Sequence, residues 1–74
     1  MYEHVKERAL ERFGFVISDE ELQELVCIVQ QNKAKFIKRK SKYVTVFECE
    51  LHNQRVWIVY NRRNKQIMTM LYGH

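Results

Sequence analysis

The chain contains no proline, two glycines and two cysteines among its 74 residues. So little turn-breaking residue excludes a loop-rich scaffold or a disordered linker. Cys27 and Cys49 form no C-x-x-C pair, and one falls in a helical pattern, the other in a strand pattern. They read as two buried free thiols of a reducing compartment rather than as a disulfide. His4, His52 and His74 are scattered without ligand spacing, which argues against a structural zinc site, and neither metal nor cofactor is expected. No stretch approaches the roughly 18–20 consecutive apolar residues of a membrane span, and the opening segment is charged and amphipathic rather than an apolar signal core. The expectation is one small, soluble, cytoplasmic domain with no membrane partner.

Negative charge is also scarce, but only in one half. Residues 1–32 hold three basic and seven acidic groups, a net of −4, whereas residues 33–74 hold ten basic groups against Glu48 and Glu50, a net of +8. The overall +4 hides this asymmetry. A surface so cationic suits a polyanion, and the competing reading is a solvated sheet face with incidental lysines.

The periodicity changes at the same point as the charge. Tyr2, Val5, Ala9, Leu10 and Phe13 recur at three- and four-residue spacing and predict a helix over 2–13, stopped by Gly14. Phe15-Val16-Ile17 is an apolar link expected to pack on the sheet. Ser18-x-x-Glu21 is a capping box, with Asp19 and Glu20 adding charge that favours a helix start, so a second helix runs over 19–31 on Leu22, Leu25, Val26 and Val29, widened by Ile28. Residues 34–40 predict an edge strand guarded by lysines. Over 43–51 the pattern alternates: Tyr43, Thr45, Phe47, Cys49 and Leu51 on one face, Val44, Val46, Glu48 and Glu50 on the other. A turn at 52–54, a central strand at 55–60, a polar loop at 61–65 and a last strand at 66–72 complete the chain. The fold class is α+β: two N-terminal helices on one face of a four-stranded antiparallel meander, ααββββ.

Chemistry has few places to sit. His4, Arg8, Glu11 and Arg12 form a second stripe on the first helix, opposite its apolar face. An imidazole works as acid or base near neutral pH, and a guanidinium fork one turn away holds a phosphate. A surface helix with these residues is also ordinary. Lys38, Arg39, Lys40 and Lys42 make a cationic run at a strand end, and Arg62 and Arg63 sit in the last loop. They are candidate phosphate contacts, with solvated turns as the plain alternative. Thr69 interrupts the apolar run 67–71, so its hydroxyl either bonds locally or faces a site. Trp57, Phe47, Tyr43 and Tyr60 are suited to stacking on bases, but a chain this short needs aromatics inside, and Trp57 is assigned to the core. No Gly-rich phosphate loop, zincin motif or nucleophile elbow is present.

The opening residues His4 to Gly14 resemble an H-x-x-x-R-x-x-x-R-[FY]-G helix found in small bacterial and phage proteins of the barnase–EndoU–colicin–RelE nuclease-like superfamily. Val56-Trp57-Ile58-Val59-Tyr60-Asn61 and Gln66-Ile67-Met68-Thr69-Met70-Leu71 are similar to that group's closing pair of strands. The resemblance implies a RelE/barnase-like fold with an active groove on the sheet surface. It also implies metal-independent RNA cleavage, or descent from enzymes that performed it, in which a base activates the ribose 2′-OH, a cation steadies the phosphorane and an acid protonates the leaving oxygen. Carried over by position, His4 is the acid or base, Arg8 holds the phosphate beside it, and Thr69 matches a Ser/Thr of the last strand. No second strand-borne histidine pairs with His4.

Three readings follow. The first is a toxin-like or phage-encoded endoribonuclease-like domain acting on RNA through a basic groove. The second is a non-catalytic binder of RNA or another nucleic acid. The third is a phage-encoded inhibitor or anti-defence protein that binds a host protein, whereas the toxin-like reading would take an antitoxin as its protein partner.

Overall fold

The computed structural model describes residues 3–72; Tyr2, read into the first helix, and His74 lie outside them. Two helices, α1 (Glu3–Phe13) and α2 (Asp19–Gln30), precede four strands, β1 (Lys35–Arg39), β2 (Val44–Leu51), β3 (Gln54–Asn61) and β4 (Gln66–Tyr72). The strands form one antiparallel sheet in the order β1-β2-β3-β4. The architecture is α+β with both helices N-terminal to the sheet.

Local chemistry sets the ends of each element. Gly14 adopts φ 74° and donates its N–H to Leu10 O at 3.0 Å, which stops α1 in a left-handed turn. The Ser18–Glu21 capping box opens α2, with Glu21 N donating to Ser18 Oγ at 3.2 Å and Ser18 N to the Glu21 carboxylate at 3.1 Å. At the other end of α2, Asn32 takes φ 58° while its N–H donates to Val29 O and Lys33 N–H donates to Ile28 O. This paired pattern is a Schellman motif, here on asparagine instead of glycine. His52 and Asn53 both have positive φ, as a two-residue hairpin loop between right-twisted strands requires.

Both helices cover the same face of the sheet. Val5 and Ala9 of α1, Leu22, Leu25, Val26 and Val29 of α2, and Ile17 of the link meet Leu51, Val56, Ile58, Tyr60, Ile67 and Met70 in one buried cluster. β2 alternates as its sequence pattern predicts: Phe47, Cys49 and Leu51 pack toward the helices, while Val46 and Glu48 point away. In β4 the register shifts opposite Val59–Tyr60, leaving Met68 unpaired and exposed, so Ile67 and Met70 both reach the core although three positions apart.

Several expectations are corrected. Trp57 is not a core residue: Val56 and Ile58 on either side of it are buried under the helices, so Trp57 lies half-buried on the opposite face. Leu10 and Val16 are 55% and 77% exposed and lie beside Glu3, Lys6 and Glu7 at the outer surface of α1. Cys27 is exposed, and only Cys49 is substantially covered. Arg12 leaves the polar stripe of α1 and donates to Met70 O. Since β4 is an edge strand, that guanidinium satisfies a backbone carbonyl and fastens α1 to it.

Candidate nucleic-acid interface

In an antiparallel meander the β1–β2 and β3–β4 turns lie at the same end of the sheet. Arg62 N–H donates to Tyr43 O at 2.8 Å, joining the two turns directly. Lys40 and Lys42 of one turn and Arg62, Arg63 and Lys65 of the other therefore share one end of the molecule. The acidic N-terminus of α2, with Asp19, Glu20, Glu21 and Glu24, is at the other end, where Glu21 and Glu24 border Glu50 and His52 of the β2–β3 hairpin. The charge asymmetry of the sequence thus becomes a polarity along the strands.

Three cations gather on one ring at the basic end. Lys42 Nζ, Arg62 Cζ and Arg63 Cζ lie 5.5, 5.7 and 5.6 Å from the centroid of Tyr43. Each distance falls within cation–π range. The Asn61 side chain accepts from Arg63 N–H at 2.9 Å and shapes the turn. Among the described residues no carboxylate lies within ion-pair distance of Lys38, Arg39, Lys40, Lys42, Arg62 or Arg63.

Beside this cluster, on the helix-covered face, the C-terminal end of α2 and strands β1, β2 and β3 enclose an open groove of about 520 Å³. Phe36, Phe47 and Tyr60 form its aromatic part, with edge-on ring contacts at 6.3 and 6.4 Å. Arg39 and Arg62 rim it, and Gln30, Asn32 and Thr45 supply polar tips. Gln30 Nε2 donates to the Tyr60 hydroxyl at 3.4 Å. Phe36 is 60% exposed, so a large aromatic side chain is open to solvent in a groove that two arginines also line.

The groove depends on an irregularity in β1. Phe36 pairs with Phe47, but the next pairing is Lys38 with Val46, so Ile37 is bulged out of register. Strict alternation would put Phe36 and Arg39 on opposite faces. The bulge puts both on the groove side. It also sends Lys38 to the other face with Val46, away from the groove.

The remaining candidates are placed separately. His4 is exposed on α1, and Arg8 binds Glu11 one turn along the same helix at 3.0 Å. Thr69 pairs with Val59 on the face that no helix covers, since its neighbour Met70 is in the core. The sheet therefore lies between Thr69 and the His4–Arg8 pair. Of the six cationic candidates, Arg39 and Arg62 line the groove, Lys42 and Arg63 join Arg62 around Tyr43, Lys40 is exposed in the adjoining turn, and Lys38 faces away.

Phe36 is the residue that sequence reasoning missed. Its signal was present: an aromatic between Lys35 and Lys38-Arg39 on a strand without an apolar alternation. Among the described residues no three His, Cys, Asp or Glu side chains converge as a metal site would require. No helix among them is long and apolar enough to cross a membrane. Compared with known protein families, with curated proteins and with solved structures, the chain finds no match.

Proposed function

We propose that the chain is a nucleic-acid-binding domain that takes single-stranded RNA at the groove between α2 and the β1–β2–β3 surface. The observation that carries this reading is the exposed Phe36 ring in a groove that Phe47 and Tyr60 also line, with Arg39 and Arg62 toward its basic end. Single-stranded nucleic acid is held by this pairing, bases against aromatic faces and phosphates against arginines. A duplex keeps its bases stacked and offers nothing for such a groove. RNA is the polymer chosen because of the sequence resemblance to ribonuclease-like domains. Cleavage is not part of the proposal, since His4 and Arg8 lie across the sheet from Thr69.

Fluorescence anisotropy with a labelled unstructured RNA tests it. Phe36→Ala is expected to cost about 1–3 kcal/mol of binding, the worth of one stacked base. Its exposure means that the fold should survive the change. Arg39→Ala and Arg62→Ala should each weaken binding and reduce the salt dependence by roughly one counterion. Wild-type protein that binds no RNA at low salt, while folded by circular dichroism, would overturn the reading. Including EDTA and analysing the RNA on a gel reports any metal-independent cleavage in the same experiment.

A further inference from the structure

The Tyr43 cluster differs in kind from the groove beside it. A strand of phosphodiesters carries one negative charge per nucleotide and is matched by cations strung along a path. Lys42, Arg62 and Arg63 share one site instead: each lies 5.5–5.7 Å from the centroid of the Tyr43 ring. They have no carboxylate within ion-pair distance among the described residues. Holding three like charges around one side chain is unfavourable in the free protein, and it is relieved most by a single group carrying more than one charge. A phosphate monoester carries about −1.5 to −2 at pH 7 and offers three strong acceptor oxygens. Two planar guanidinium forks and one ammonium are suited to those oxygens.

Arg62 belongs to both places: it rims the aromatic groove and lies over Tyr43. A nucleotide whose base enters the groove therefore has its phosphate within reach of the cluster. We propose that the Tyr43 cluster recognises the terminal phosphate of a single strand, so that the domain binds phosphorylated RNA ends in preference to internal segments. This inference rests on the single-strand reading of the groove and adds the part of the strand that occupies it.

Three versions of one short RNA, bearing a 5′-phosphate, a 3′-phosphate or hydroxyls at both ends, are titrated with the wild-type protein and with Arg63→Ala. Arg63 lies in the cluster but does not line the groove, so its removal separates the two. The expected result is at least tenfold tighter binding of one phosphorylated form over the hydroxyl form. Arg63→Ala should lose most of that preference, weakening the phosphorylated form several-fold more than the hydroxyl form, whose affinity falls only by the share of one general electrostatic contact. The preference should also decline as pH falls through about 6, where the phosphate loses its second charge. Equal binding of all three RNAs by the wild type would overturn the terminal-phosphate inference and leave the groove reading standing. A preference that Arg63→Ala leaves unchanged would also overturn it. Binding of none of the three would overturn both.

Discussion

Trp57 donates its indole N–H to the Glu48 carboxylate at 2.9 Å, across the β2–β3 pair and on the face that the helices leave open. The Glu48 side chain is only 16% exposed, with Arg55 3.8 Å away. Val46 and Val59 are buried on the same face, outside the helix–sheet cluster. The indole thus contributes apolar cover to this side of the sheet and satisfies a carboxylate that is largely shielded from water. Trp57→Phe keeps an aromatic ring, though a smaller one, and removes the donor. It is expected to destabilise the fold by about 1.5–3 kcal/mol, the worth of a hydrogen bond to a charged group. Urea denaturation of both variants and their double mutant isolates the pair: in a Glu48→Gln background the same change should cost less.

Arg12 carries the equivalent role at the sheet edge. Its guanidinium is part-buried and reaches Met70 O, a carbonyl on a strand with no further neighbour in the sheet. Arg12→Ala should lower stability by about 1–3 kcal/mol, or roughly 4–8 °C of melting temperature per kcal/mol in a domain of this size. Arg8→Ala removes a mostly exposed pair with Glu11 and should shift melting little. Similar losses for both variants would show that the Arg12 contact does not fasten α1 to β4.

These two contacts also mark where sequence pattern stops being informative. Features set by neighbours in sequence were legible: Gly14 ending α1, Ser18 and Glu21 opening α2, the order of four strands, and the faces of β2. Features set by partners distant in sequence were not. β3 is apolar on both sides around Trp57, Ile58 and Val59, so alternation cannot tell which side meets the helices. The bulge at Ile37 arises from pairing with β2, yet it decides that Phe36 and Arg39 share a groove. The basic residues were visible individually. Their convergence on Tyr43 follows from the joining of two turns almost twenty residues apart in the chain. His4, Arg8 and Thr69 stand far apart in the chain, and only the sheet topology shows His4 and Arg8 on the opposite side from Thr69.

The two thiols should react very differently. Cys49 packs against the core, and burial, aided by the neighbouring Glu48 carboxylate, pushes its pKa up to about 11. Cys27 is exposed on α2. Since the thiolate is the reactive form, a thiol-specific reagent at mildly alkaline pH should titrate one sulfhydryl promptly and the second only on addition of denaturant. Cys27→Ser should abolish the prompt phase and leave the slow one. Two prompt sulfhydryls in the folded wild type would contradict the placement of Cys49.

Stability should decline in acid through the start of α2. The Ser18 backbone N–H and the His52 ring hold the Glu21 carboxyl below its ordinary value, and Lys6, 2.6 Å away, holds the Asp19 carboxyl below its own. A carboxyl with a depressed folded pKa binds its proton less readily in the folded state than in the unfolded state. Its contribution is therefore complete above the unfolded value and is lost as pH falls through the folded one, below 4.5 for Glu21 and below 3.8 for Asp19. His52 is placed for this by stacking on Phe15 at 4.4 Å, with its Nε2 2.8 Å from Glu21. Glu21→Gln should lower the urea midpoint at neutral pH and narrow its gap to wild type in acid, where the wild-type carboxyl is protonated too. His52→Ala should act in the same direction but less, because the Ser18 contact is the larger cause. A gap between wild type and Glu21→Gln that stays constant from neutral pH into strong acid would remove Glu21 as a source of the acid sensitivity.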